Sequence, residues 1–98
     1  MLFAVLFEDD PDLGGSVRQE HMPAHLAFLD AHAVSIRAAG PLLTEVGQAG
    51  GGLWLVEADD AAAVEALVRE DPFWPTGLRK GYRVLAWRQV FKEGRRLI

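Results

Sequence analysis

Leu2-Phe3-Ala4-Val5-Leu6-Phe7 is apolar at every position. A strand with one wet face alternates between apolar and polar residues, so this segment reads as a strand covered on both sides. Asp9 to Gly15 is loop by composition. From about Pro23 to Ala38 the pattern becomes helical, with Leu26, Leu29, Ala33 and Ile36 on one stripe. Pro23 suits a first helical turn, where its missing N–H orphans nothing. Gly40-Pro41 breaks that pattern, and Pro41 to Thr44 reads as a short extended segment, at a sheet edge because proline cannot donate to a ladder. Gln48 to Gly52 is a turn, and Leu53-Trp54-Leu55-Val56 is a second strand apolar on both faces. Asp59 or Asp60 is a suitable N-cap for a helix carrying Ala61, Val64, Leu67 and Val68, and Asp71-Pro72 ends it. An aromatic loop from Phe73 to Gly81 leads to a last strand, Tyr82 to Val90, with Tyr82, Val84, Ala86 and Arg88 on one face.

This order is βαββαβ, an α+β ferredoxin-like sandwich with an antiparallel sheet in the order 4132 and both helices on one face. Strands 1 and 3 are then central, and they are the two that are apolar on both faces. The strand carrying Pro41 falls at an edge. Helices cover one face only, so the other face of the central strands needs a second cover. A second copy packed sheet to sheet is the simplest one, which predicts a homodimer forming a dimeric α+β barrel.

Composition narrows the class. With 98 residues, half of them hydrophobic, the chain suits one domain over 1–98. The apolar N-terminal run is too short to span a bilayer, lacks a basic flank and meets Glu8, Asp9 and Asp10 at once, which argues against a membrane span or signal peptide. The absence of cysteine excludes disulfides, thiolate-bound zinc and thiol catalysis, and fits a cytoplasmic location. Charge is uneven: residues 1–78 hold three basic against thirteen acidic residues, and residues 79–98 hold seven against one. The basic end invites a nucleic-acid reading, but the acidic remainder would repel phosphates and no stacking-aromatic motif accompanies it. The expectation is no nucleic acid, with the basic end facing acidic surface of the same chain or of a second copy.

All three histidines lie close together, at His21, His25 and His32. His21 and His25 have the spacing of helical metal ligands, but no glutamate follows the first histidine, Pro23 lies between them and no third ligand is specified, so no metal site is expected. Topology makes His25 more interesting. In βαββαβ the start of helix 1 and the end of helix 2 meet at one end of the sheet, which brings His25 towards Asp71. A carboxylate beside an imidazole fixes its tautomer and supports the imidazolium, making it a better proton acceptor. The plainer alternative is that Asp71 caps the turn before Pro72 and His25 merely ends a helix.

Pro23-Ala24-His25-Leu26-Ala27-Phe28-Leu29, Ala39-Gly40-Pro41-Leu42, and Asp71-Pro72-Phe73 followed by Gly77 make the chain resemble the YCII-related (YciI-like) family of the dimeric α+β barrel superfamily. The resemblance runs from Met1 to about Phe91. It implies a ferredoxin-like protomer, a homodimer and an active site on a histidine–aspartate pair, which falls on His25 and Asp71. Relatives include a dehydrochlorinase acting on a chlorinated hydroxyhydroquinone, and the wider superfamily includes muconolactone isomerase. Arg18, Gly40, Pro41 and Thr44 are candidates to line the same cavity, with Phe73 and Trp74 as an apolar wall, although core packing accounts equally well for those two. Trp54 and Trp87, on strands, read as core or dimer interface. The expected function is a small-molecule enzyme transferring a proton without a cofactor, by elimination or isomerisation. The alternative is a non-catalytic dimeric module that binds a small ligand or a protein partner.

Overall fold

The computed structural model describes residues 1–13 and 15–98. Its elements are β1 (Leu2–Asp9), α1 (Gly15–Ala31), β2 (Ile36–Leu43), β3 (Ala49–Glu57), α2 (Ala61–Glu70), β4 (Arg79–Ala86), and a short hairpin of β5 (Phe91–Lys92) and β6 (Arg95–Arg96). The four long strands form one antiparallel sheet in the order β2-β3-β1-β4, which is the expected 4132 order seen from the other edge. The fold is therefore α+β and ferredoxin-like, with β1 and β3 at its centre.

Alternation along these strands sorts their side chains between two faces. Phe3, Val5 and Phe7 of β1, with Trp54 and Val56 of β3, turn to one side and are buried with Val64 and Val68 of α2. On the opposite side Ala4, Leu53, Leu55, Leu85 and Trp87 line one shallow apolar surface. Leu85 and Trp87 remain 43% and 44% exposed there. Helix α2 begins as expected, with Asp60 as the cap: its Oδ1 accepts from the Ala63 N–H at 2.9 Å.

Helix α1 departs from the sequence reading at both ends. It starts at Gly15 rather than near Pro23 and stops at Ala31 rather than Ala38. Pro23 thus lies in its interior, where no N–H reaches back to the Gln19 carbonyl. The added first half, Gly15 to Glu20, is mostly exposed or half-exposed, so it has no apolar stripe to betray it. At the other end the Ile36 N–H closes a turn on the His32 carbonyl at 2.8 Å. Ile36 then pairs with Val56 and is buried from the sheet, not from a helical stripe. Leu26, also placed on that stripe, is 51% exposed.

Strand boundaries also move: β2 runs Ile36–Leu43 rather than Pro41 to Thr44, at the sheet edge as expected. β3 begins at Ala49, inside the expected turn, and contains Gly51 at φ 95°. A Cβ there would stand 2.1 Å from the Phe7 carbonyl oxygen, so only glycine lets β3 approach β1 this closely. β4 starts at Arg79 and ends at Ala86, and the chain then turns back through Glu93 (φ 51°) and Gly94 (φ 77°) in the hairpin.

Candidate active site

Asp71 follows α2 and precedes proline, so its backbone leaves the helical region, at φ −61° and ψ 129°. Its N–H still donates to the Leu67 carbonyl, and its own carbonyl accepts from Trp74 at 2.8 Å. The side chain folds back over the turn, where Oδ1 accepts from the Phe73 N–H at 3.1 Å. The local sequence Asp-Pro-Phe thereby fixes a carboxylate that is fully buried.

His25 reaches that carboxylate from α1. It is the one buried residue of the helix, and it lies in the interior rather than at the start. Its Nδ1 is 2.8 Å from Asp71 Oδ1. A carboxylate accepts, so Nδ1 carries the proton and the lone pair is left on Nε2 at the opposite edge of the ring. The Phe73 ring packs against the imidazole, centroid to centroid at 4.4 Å.

The other oxygen of Asp71 faces Arg79, whose Nη2 lies 3.1 Å away. Arg79 reaches the helix side of the sheet through a bulge. Phe7 pairs with Tyr82 and Glu8 with Gly81, but Asp9 pairs with Arg79, so Lys80 is the extra residue and the alternation of faces inverts. The guanidinium carbon sits 3.7 Å from the Phe7 ring centroid and 5.2 Å from that of Trp54. Only 6% of the Arg79 side chain is exposed. Its Nε and Nη1 have no hydrogen-bond partner among the described residues, and the contact to Asp71 Oδ2 is not aligned as a hydrogen bond. Leaving such a donor unpaired costs about 1–3 kcal/mol. Burial pulls the Arg79 pKa below its ordinary value, while the charges of Asp71 and Asp9 oppose the shift. It stays a cation throughout.

His25 and Arg79 border a cavity of about 130 Å³ between α1 and the inner face of the sheet. Met22, His25 and Leu29 line it from the helix, and Phe7, Trp54 and Pro41 from the sheet. An apolar cavity of about 150 Å³ is known to hold benzene, so this one suits a single six-membered ring. Arg18 and Asp9 form an ion pair on its border, and Arg79 and Gly40 also line it.

Of the residues singled out in the sequence, Arg18, His25, Gly40 and Pro41 line this cavity, and Asp71 stands behind His25. Phe73 and Trp74 do not line it. Phe73 supports His25, and Trp74 packs edge-on against Tyr82 at 5.5 Å. Thr44 belongs to the β2–β3 turn, where its Oγ1 accepts from Gln48. Trp54 serves as both core and cavity wall, and Trp87 lies on the outer face. His21 is on α1 with His25, and His32 Nε2 lies 3.8 Å from Glu70. Among the described residues, no three His, Asp or Glu side chains are grouped to hold a metal ion. Sequence reasoning missed Arg79, Asp9, Phe7 and Met22 as cavity residues. Gly81 was the available signal for Arg79, since glycine inside a strand marks a bulge.

The family described as the YCII-related domain matches residues 1–88. No curated protein matches the chain. Among solved structures, the chain is similar to 5-chloro-2-hydroxyhydroquinone dehydrochlorinase from Burkholderia phenoliruptrix, in complex with 2,5-dihydroxybenzoquinone. The two share 32% identity and a TM-score of 0.73, over 90% of this chain and 94% of that one.

Proposed function

The chain belongs to the YCII-related family, and from that membership we propose that it is an enzyme moving a proton on a small single-ring substrate, with His25 as the base and Asp71 as its orienting partner. The observation that carries the reading is the 2.8 Å contact between His25 Nδ1 and a fully buried Asp71, on the wall of a cavity of single-ring size. Asp71 holds the Nδ1 proton and supports the charge that appears when Nε2 takes a second proton. In an elimination, the substrate's C–H or O–H bond breaks towards Nε2, its electron pair forms a double bond, and chloride leaves with the C–Cl pair. The proton then passes from Nε2 to water, so the net loss is HCl. In an isomerisation the same proton returns to a different carbon. The dehydrochlorinase similarity favours elimination. Acid–base groups suffice for either course.

The protomer acts as a homodimer joined through the outer sheet face. What supports this is the apolar surface of Ala4, Leu53, Leu55, Leu85 and Trp87, of a kind that monomers rarely leave open.

Chloride release from 5-chloro-2-hydroxyhydroquinone, beside binding of 2,5-dihydroxybenzoquinone, tests the enzymatic reading. Release above the uncatalysed rate, reduced by about 10²–10⁴ in His25→Ala, is the expected result. Binding of the quinone with no release would instead describe a ligand-binding module.

A further inference from the structure

The proton-transfer scheme gives no task to the basic hairpin that follows β4. We propose that it is a clasp for a second copy of this chain, docking on the acidic end of the partner's sheet. The inference rests on the sheet-to-sheet dimer proposed above and adds to it the contact that orients the two sheets.

The hairpin lacks cover within its own protomer. β5 and β6 pair only with each other, and the Leu97 N–H donates to the Val90 carbonyl at 2.9 Å. Val90, Phe91, Leu97 and Ile98 are between 47% and 83% exposed. An isolated two-stranded hairpin is marginal in water unless something packs against it. In sequence it follows Leu85 and Trp87, so its apolar residues continue the outer surface of the sheet. It also lies beyond residues 1–88, which the family covers. Its charge is equally unmet. Among the described residues Arg88, Lys92, Arg95 and Arg96 form no ion pair, although residues 1–78 hold thirteen acids.

The two ends of the sheet decide where those cations go. Phe3 pairs with Ala86, and the Trp87 N–H donates to the Leu2 carbonyl at 2.8 Å, so the hairpin leaves the sheet where β1 starts. Glu8, Asp10 and Asp12 lie at the other end of β1, roughly 20 Å away at the rise of an extended strand. Phe7 pairs with Gly52, so the β2–β3 turn with Glu45 is at that end too. Asp12 and Glu45 are exposed. Lys80 and Arg83 stand there as well, with Lys80 drawn to Glu8 at 3.8 Å, and the acids outnumber them. Stacking two sheets with their strands in the same direction would set the two basic hairpins side by side, where like charges repel. Opposite directions about a two-fold axis separate the hairpins and lay each over the partner's acidic end. Asp9 lies between Glu8 and Asp10, so the docked hairpin stands near the Asp9–Arg18 border of the partner's cavity.

Sedimentation velocity of the full chain tests this with two charge reversals at exposed positions. Lys92→Glu/Arg95→Glu/Arg96→Glu reverses the hairpin, and Asp12→Lys/Glu45→Lys reverses the acidic end. Each variant alone is expected to raise the dimer dissociation constant about tenfold or more, the scale of a few ion pairs at two symmetric contacts. An equimolar mixture of the two should sediment as a dimer again, because each hairpin then meets an acceptor of opposite charge. The wild-type dimer should also weaken between about 0.1 M and about 1 M salt, as the screening length falls from about 10 Å to about 3 Å. Variants that dimerise as tightly as wild type, or a wild-type dimer indifferent to salt, would overturn the inference and leave the sheet-to-sheet dimer standing. So would a mixture that stays monomeric. A hairpin that binds a DNA oligonucleotide, while its reversal leaves the dimer unchanged, would be a polyanion surface and would overturn it as well. A wild-type monomer would overturn both the dimer and the clasp.

Discussion

Asp71 answers to two partners at once. One oxygen holds the His25 ring and the other faces Arg79, all three being buried. The two contacts differ in what they do for stability. Removing the carboxylate leaves Arg79 as an uncompensated buried charge, which typically costs about 3–5 kcal/mol. Asp71→Asn should therefore lower the unfolding free energy by that amount in urea titrations, whereas His25→Ala should lose only about 1–2 kcal/mol of hydrogen bonding. Combining Asp71→Asn with Arg79→Met should recover part of the loss, because the orphaned charge is gone. A double variant whose loss equals the sum of the single losses would mean the two side chains are not coupled. Asp71 was legible because the βαββαβ topology brings the end of α2 towards α1 and because Asp71-Pro72-Phe73 carries part of the family resemblance; the backbone that the proline dictates is what turns the carboxylate inward. Arg79 was not legible, because the sequence reading left it in the loop from Phe73 to Gly81, whereas β4 begins at Arg79 and a bulge turns it inward.

At the scale of elements, local backbone demands decide where the chain agrees with its hydrophobic pattern. β1 and β3 are apolar on both faces over Leu2–Phe7 and Leu53–Val56, and within the βαββαβ order such runs suit the two central strands, so both were legible. The first half of α1 was not, because a half-exposed helix segment followed by an interior proline has neither a stripe nor a start signal. The chain from His32 to Ile36 misled for the opposite reason: apolar spacing continued past the end of the helix, but the burial of Ile36 comes from pairing with Val56. Gly51 carries the sharpest constraint. Its positive φ and the 2.1 Å approach of a Cβ to the Phe7 carbonyl make Gly51→Ala destabilising by well over about 1 kcal/mol. A thermal melt of Gly51→Ala unchanged from wild type would show that β1 and β3 tolerate separation at this point.

For the whole molecule, the decisive feature is a sheet with one face under helices and the other apolar and open. Sedimentation at micromolar concentration should give a species of twice the 10.8 kDa chain mass. Leu55→Asp places a charge in the middle of that face and should shift the protein to monomer or unfold it. A wild-type monomer would contradict the dimer directly. The fold's two-sided demand was readable from the sequence because topology assigned both doubly apolar strands to the centre. The basic end was readable as charge and as a last strand, but not in its hairpin. It forms the whole of β4 and a small hairpin whose turn residues, Glu93 and Gly94, both lie at positive φ.

The account stands most directly on the state of one ring. A long-range ¹H–¹⁵N correlation spectrum of ¹⁵N-labelled protein, recorded where His25 is neutral, reports which nitrogen carries its proton. The predicted result is a protonated Nδ1 held by Asp71 and a bare Nε2 free to take a proton from a substrate. A proton on Nε2, or an even mixture of the two tautomers, would contradict it: His25 would then have no fixed lone pair to offer, and the pair would be structural.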